Sequence, residues 1–521
     1  MKKALLAAVA IAAVAPLFLA TGVAQAASTY TPELVKAFDS SGDTDYSVLY
    51  ISSFGSKVAV QLSNGDMWIS DGTTTGTTDL TSALTDAGLT EWEISRNAWN
   101  RDSVDINGEL YFFGYNGTWD VWKTDGTSVT RVSTGTGVRD TMYYLGGKLY
   151  TLGAGPIFQI DPTTGDDVIV DNRDCDCGHF IGVTQMQIVN GLIVFTYDQN
   201  DCQDGLSTWD PAHPGNAPVD VTASAGALGS DASDTDYLND TFDTWSLFNG
   251  DLYFTAHAND GSADLGNELF KTDGTQAGTV LVKDLTGGGD DGNPMDDDMV
   301  RPFIYNDELY FSGADGGNTV LWKTDGTEAG TVVAVDDVRN PGDYSENTQP
   351  VEINGKLFLD FESEAGQEFY VTDGTNAGTT MLRDINPNGD SPCEDYCQPA
   401  VLYDGHVFFI AYDDVTNAVW ETDGTDAGTH QVTSFVGRDA VGNNDYSAMV
   451  VAGDTLFFGV DDLDPLLSGT ASNEMALYKI GKPTSLPDTG IDMIGLGGIC
   501  ALLVIGGLGV LVLSRRKMST K

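Results

Sequence analysis

Hydrophobic positions in this chain fall into short alternating runs separated by clusters of Gly, Asp, Asn and Thr. That is the pattern of half-buried β-strands joined by tight turns. The clearest stretch runs from Glu308 to Val335 and reads ELYF, a Gly-rich loop, then VLWKTDGTEAGTVVAV. It predicts two short strands, a Thr-Asp-Gly-Thr turn and a further strand. Asp325-Gly326 suits a two-residue hairpin in which both central residues take φ > 0, since Gly adopts that region freely and Asp tolerates it. Tyr310, Phe311, Leu321 and Trp322 are the bulky residues with which such strands pack against a neighbouring sheet. One sheet of this size cannot bury itself, so the unit must stack on others like it.

The other units can be read directly. Asp-Gly-Thr turns occur at Asp71, Asp125, Asp273, Asp325, Asp373 and Asp423, each after an aromatic strand, and most continue into Gly-Thr and a closing strand. Eroded copies lie at IFQIDPTTG, with Asp161, and STWDPAHPG, with Asp210, where Pro replaces Gly. A ninth strand pair, TLFFGV and ALYKIG, starts at Thr455 and ends at Gly481 without such a turn. Successive turns are 54, 36, 49, 63, 52, 48 and 50 residues apart, about the four strands of one propeller blade. The expected fold is an all-β propeller over residues 27–481, with nine blades. Eight is the alternative, in which the short step from Asp125 to Asp161 marks an incomplete unit.

Leu34-Val35-Lys36 matches the closing-strand residues Leu281-Val282-Lys283, yet no strand pair precedes it, and the last unit lacks a closing strand. In a closed ring the strand from Glu33 to Phe38 completes the last blade. This removes the open sheet edges and holds both ends of the domain in one blade.

These motifs resemble a bacterial surface-protein repeat with the signature ELWxTDGTxAGTxxVKDI, a family taken to form β-propellers. The resemblance covers about residues 30 to 481 and is most specific at Asn267 to Leu285, NELFKTDGTQAGTVLVKDL.

The two ends carry address signals. Met1 to Ala26 has Lys2-Lys3, an apolar run from Ala4 to Ala20 and a terminal Ala24-Gln25-Ala26, the order of a secretory signal peptide with cleavage expected after Ala26. Near the other end, Leu486-Pro487-Asp488-Thr489-Gly490 precedes an apolar stretch from Met493 to Leu513, which with Ile491-Asp492 makes up a 491–513 membrane segment. A basic tail, 514–521, begins Ser514-Arg515-Arg516-Lys517 and would stay on the cytoplasmic side. Pentapeptide, span and basic tail together resemble the sorting signal of sortase-anchored wall proteins. The resemblance implies that a sortase cysteine attacks the Thr489 carbonyl, releases Gly490 onward and joins Thr489 to a wall-precursor amine of the peptidoglycan. A plain transmembrane anchor is the alternative. Residues 482–490 form the linker and motif, and Gly481 to Ser485 spans only about 17 Å when extended, so the propeller is expected at or within the wall.

Charge agrees with export. The formal net charge is −52, and without the signal and everything after Thr489 there remain 19 basic and 76 acidic residues. Such a surface repels nucleic acid and anionic lipid. It suits a soluble exterior and can also hold divalent cations. The loops Gly287 to Asp298 and Gly229 to Asp243 are dense in Asp, Asn and Gly and are candidate Ca2+ loops, although the twelve-residue order ending in a bidentate Glu is absent. Cys393 and Cys397, four apart, could close a small disulfide. Cys175, Cys177 and Cys202 form an odd set, and Cys175-x-Cys177 with His179 lacks an evident fourth zinc ligand. Cys500 lies in the apolar run. None of the five histidines belongs to a hydrolase elbow or metalloprotease helix, and no Walker loop is present. No catalytic residue can be named. The expectation is a wall-anchored binding, adhesion or structural module facing an unknown glycan or protein ligand. The alternative is a glycan-cleaving hydrolase or lyase with its site in the propeller funnel.

Overall fold

The computed structural model describes residues 28–38, 48–95, 102–133, 141–152, 157–171, 186–199, 202–221, 245–259, 264–287, 294–295, 300–342, 350–392, 400–414, 417–433, 449–460 and 475–482. Residues through Gly481 form one compact unit and those from Lys482 another. Of the second unit only Lys482 is described, so the sorting motif and the apolar span at 491–513 lie outside the described residues, as does the signal segment. Among the described residues no helix is long and apolar enough to cross a membrane.

The alternating runs become antiparallel strands grouped in nine separate sheets. In chain order within a blade, the first strand pairs the second, the second the third and the third the fourth, as in the blade built from Phe303–Tyr305, Glu308–Asp315, Asn318–Thr324 and Val332–Val335. First strands of successive blades approach one another, which places them around the axis and the fourth strands at the rim. The protein is therefore a nine-bladed β-propeller. The third unit, short in sequence, is a complete blade: Thr141–Leu145, Lys148–Leu152, Ile157–Ile160 and Asp167–Asp171. The eight-blade alternative is thus set aside.

The ring closes across the ends of the domain. Glu33–Phe38 pairs antiparallel with Met475–Gly481, with Leu34 opposite Tyr478 and Phe38 opposite Met475, and becomes the fourth strand of the ninth blade. The cores confirm closure. Nine clusters of buried side chains each straddle two neighbouring blades, and the one joining the ninth blade to the first contains Val35, Phe38, Phe457 and Leu477 against Val48, Ile51, Val58 and Val60. Apolar burial lies between blades rather than within them, so each blade depends on both neighbours.

Two features were not legible as simple blades. The connection from the first blade to the second folds as a short helix, Thr81–Asp86, and a strand, Glu91–Glu93, that extends the second blade by pairing with Phe113 to Tyr115. The first strands are only three to seven residues long, and the two-residue hairpins after them use Asn-Gly or related pairs. Asn354 and Gly355 have φ of 52° and 72°, and Asn306 and Asp307 have 51° and 62°. Those are the positive-φ hairpins that the sequence reading assigned to Asp-Gly-Thr.

The Asp-Gly-Thr turn has a different construction. Gly326 takes φ 93°, but Asp325 is not in the positive-φ region, and the connection runs seven residues from Asp325 to Thr331. The Asp325 carboxylate closes the turn through its side chain instead. Its Oδ1 accepts from Thr327 N at 2.9 Å and from Thr327 Oγ1 at 2.7 Å, the Asx turn that makes Asp a turn residue without left-handed backbone. Gly330 N donates to Thr327 Oγ1, Thr331 Oγ1 donates to the Thr327 carbonyl, and the hydroxyls of Thr324 and Thr331 meet at 2.7 Å. Gly330 is required by space, since a Cβ there would stand 2.1 Å from Asp325 Oδ1. The same side-chain bonds to Asp recur at Thr73, Thr275, Thr375 and Thr425.

Candidate functional site

Each Asp-Gly-Thr loop joins the third strand of its blade to the fourth and leans on the preceding blade. A Cβ at Gly326 would meet Tyr253 Oη at 2.6 Å, and one at Gly374 would meet Tyr310 Oη at 2.4 Å. Burial, with nearby carboxylates adding, raises both tyrosine hydroxyls to about 12. The residue after the second Thr of the motif, which varies between copies, reaches the same neighbour. Gln276 Nε2 donates to the Asp220 carbonyl, Asn376 Oδ1 accepts from Asp336 N, and Asp426 Oδ1 accepts from Arg383 Nε at 2.8 Å. Asp71, Asp125, Asp273, Asp325, Asp373 and Asp423 therefore sit in a ring of loops that stitch blade to blade. Hydrogen bonds from Thr73 and Thr327 hold the Asp71 and Asp325 carboxyls below the usual range, and those from Ser128 and Thr127 do the same for Asp125.

The axial surface is where this architecture leaves side chains for a ligand. One position recurs in every first strand, opposite a buried residue of the second strand. Tyr144, Leu247, Ile304 and Leu402 occupy it and are 38%, 37%, 55% and 51% exposed, while their cross-strand partners Leu149, Leu252, Leu309 and Val407 are fully buried. Ile188 and Val451 are half-buried at the same position, Glu352 is exposed, and Ser53 and Asp105 are half-buried. With nine blades around the axis, the innermost positions stand too far apart to bury one another, whereas positions one strand outward are filled from both sides. The result is a largely apolar circle at the ends of the first strands, beside the Asn-Gly hairpins. Asp105 is committed to the backbone: Oδ1 accepts from Gly108 N and Oδ2 from Gly55 N of the preceding blade.

Among the buried carboxylates not evident from the sequence, Asp120, Glu268 and Glu368 stand five residues before the motif Asp in their blades and are fully buried. Asp120 pairs with Arg131. Glu268 Oε2 accepts from Leu285 N at 2.7 Å and Glu368 Oε2 from Ile385 N at 3.4 Å, so each ties down the chain as it leaves the fourth strand. Ser391 Oγ also bonds Glu368, and burial lifts the Glu368 carboxyl to about 7. The available signal was an acidic residue at a place where other blades carry Val320 or Ala418.

Cys393, Cys397, Cys175, Cys177 and His179 lie outside the described residues, as does Gly229 to Asp243 and most of Gly287 to Asp298. Cys202 opens the strand Cys202–Trp209. No group of His, Cys, Asp and Glu able to hold a metal occurs among the described residues.

Fold and axial surface define a nine-bladed propeller with an apolar circle at its axis. No known protein family matches the sequence. No curated protein matches it either. Solved structures with similar architecture include the computationally designed Ika8 protein, at 13% identity over 74% of this chain and 98% of that one, with a TM-score of 0.38. A Porphyromonas gingivalis dipeptidyl peptidase 4 is 12% identical over 82% of this chain, which spans 59% of the peptidase, with a TM-score of 0.41. A europium-containing methanol dehydrogenase is 10% identical over 76% of this chain and 94% of that one, with a TM-score of 0.39. At these values the likenesses carry no argument about activity.

Proposed function

We propose that this protein is a binding module displayed on a bacterial surface, exported by Met1 to Ala26 and joined to the wall through Thr489. Its ligand, a glycan or a protein, is held at the axial end that carries the Asn-Gly hairpins. The observation that carries this reading is the exposure of Tyr144, Leu247, Ile304 and Leu402 at one recurring position whose cross-strand partners are buried. Apolar side chains gathered on a strongly acidic molecule cost solubility unless a partner covers them. Aromatic and aliphatic groups at that place suit an apolar protein surface or the flat face of a sugar ring.

The test screens wall-released protein against glycans, wall fragments and host or neighbour-cell proteins, with product analysis on the same samples. Saturable binding that falls at least tenfold in Ile304→Asp and Leu402→Asp, with melting temperature unchanged, supports the reading. Binding untouched by both substitutions overturns the axial site, and turnover of the ligand overturns the module in favour of a hydrolase or lyase.

A further inference from the structure

One corner of the blade recurs as an ion pair. Lys123, Lys271 and Lys323, each two residues before the motif Asp, reach Glu109, Asp251 and Glu308, each the first residue of a second strand, at 2.8, 3.1 and 2.8 Å. Each lysine stands across the sheet from a tyrosine, Tyr111, Tyr253 or Tyr310. The Asp-Gly-Thr loop of the following blade covers this corner, as Gly326 does over Tyr253 and Gly374 over Tyr310. In the eighth blade the signs are exchanged. Glu421 takes the lysine position, opposite Phe408, and His406 opens the second strand where the others have a carboxylate.

The cover differs as well. The ninth blade takes its fourth strand from the start of the chain and has no Asp-Gly-Thr loop, so Tyr30 stands in that place. Tyr30 is buried, with its ring edge-on to Phe408 at 5.0 Å and to His406 at 5.4 Å between centroids. Its hydroxyl lies 3.3 Å from Asp404 Oδ2 and 3.1 Å from His406 Nδ1. Glu421 is 2% exposed, accepts a hydrogen bond from the Ser28 side chain and pairs across the sheet with His430. Its Oε2 is buried with no hydrogen-bond partner among the described residues. Burial holds this carboxyl above its usual range, with Ser28, His406 and His430 opposing and Asp423 adding. The other titratable groups at this corner are Asp404, Tyr30 and Tyr403, whose hydroxyl donates to the Asp454 carbonyl of the ninth blade.

We propose that this charge-reversed corner is a pH-sensitive latch: one proton shared among Glu421, His406 and His430 holds the segment from Ser28 to Tyr30 on the eighth blade, and its loss loosens the closure of the ring. A lysine keeps its charge well past neutral pH, so the pairs of the second, fifth and sixth blades are permanent, whereas an imidazole changes charge between about pH 5 and 8. On either histidine the proton gives the carboxylate a cation, and on Glu421 it removes the charge altogether. Once the proton is gone, a buried carboxylate faces neutral rings with the Ser28 hydroxyl as its donor, and that is the costly state. Because burial raises the Glu421 pKa, the contribution of this group is complete below the ordinary 4.5 and is lost as pH rises through the raised value. Loss of the imidazolium acts in the same direction. The latch is therefore firm in mild acid and weak in mild alkali, and the segment it holds leads directly into the closing strand Glu33–Phe38.

The experiment follows hydrogen exchange by mass spectrometry in the full protein as released from producing cells, from about pH 5.5 to about pH 8.5, with each rate corrected for intrinsic exchange at that pH. In peptides covering residues 30–38, protection should fall at least about tenfold across the range. Peptides covering Glu308–Asp315, beside the permanent Lys323–Glu308 pair, should keep theirs. Two variants remove the titration by opposite routes: Glu421→Gln has no charge to satisfy, and His406→Lys supplies a cation that stays. Each should carry the protection seen in acid to the top of the range, and flattening in one is sufficient support if the other does not fold. A fall that persists unchanged in every variant that folds overturns the latch. So does wild-type protection that is flat across the range, or a fall shared equally with the Glu308–Asp315 peptides, and neither of these readings needs a variant.

Discussion

Glu368 offers the sharpest test of how this fold manages its buried charge. The side chain is fully buried in the strand Gly366–Thr372, with Oε2 bonded by Ser391 and Ile385 and Oε1 without a partner. Burial is the chief cause that lifts its pKa from an ordinary 4.5 to about 7. Between those two values the folded protein holds a proton that the unfolded chain has lost. Stability from this group is therefore present at pH 4.5 and below, falls as pH rises and is fully lost above pH 7. A shift of this size corresponds to about 3 kcal/mol. Glu368→Gln keeps the shape and an acceptor for Ile385 N and Ser391 but cannot ionise. The variant should exceed wild type by less than about 1 kcal/mol at pH 5 and by up to about 3 kcal/mol at pH 8. Denaturant unfolding of both proteins at pH 5, 6, 7 and 8 measures this, and the other carboxylates cancel in the difference. Curves that stay parallel within about 0.5 kcal/mol across the range would show that the buried carboxyl is not charging, and the reasoning would be wrong.

The turn geometry predicts a non-additive pair. Gly330→Ala should cost about 1–3 kcal/mol because its Cβ meets the Asp325 carboxylate. Asp325→Ala should cost about 1–2 kcal/mol for the bonds from Thr327. The double variant should then cost clearly less than the sum, and strict additivity in thermal unfolding would refute the contact. Deleting residues 28–38 exposes the surfaces that Val35 and Phe38 cover and opens the ring, with an expected loss of about 3–6 kcal/mol; an unchanged unfolding midpoint would contradict closure. For anchoring, Thr489→Ala should move the protein from the wall-digest fraction to the detergent-extractable fraction with its C-terminal tail retained, and a wild-type protein already wholly detergent-soluble and intact at Lys521 would defeat the sortase reading.

Much of the architecture was legible in the sequence because it is periodic. Alternation marks a strand wherever it occurs, and the recurring TDGT counts the blades, so nine units and the return of Glu33–Phe38 to the last blade could be argued from spacing and from a missing strand. The turn chemistry was partly misread for a local reason. Asp-Gly is a hairpin signal in isolation, but the Asp325 side chain holds the turn through Thr327, and the positive-φ hairpins fall on Asn306-Asp307 and its equivalents one strand pair earlier. What only the tertiary structure decided concerns relations between blades. Glu368 and Glu421 look like any other acidic residues on an acidic chain, and their burial depends on which strand of which neighbour packs over them. Ile304 and Leu309 are both apolar residues of short strands in one blade. One is exposed and the other buried because ring size, a property of all nine blades together, sets the distance across the axis. Local pattern encodes each strand, but exposure at the axis is a property of closure.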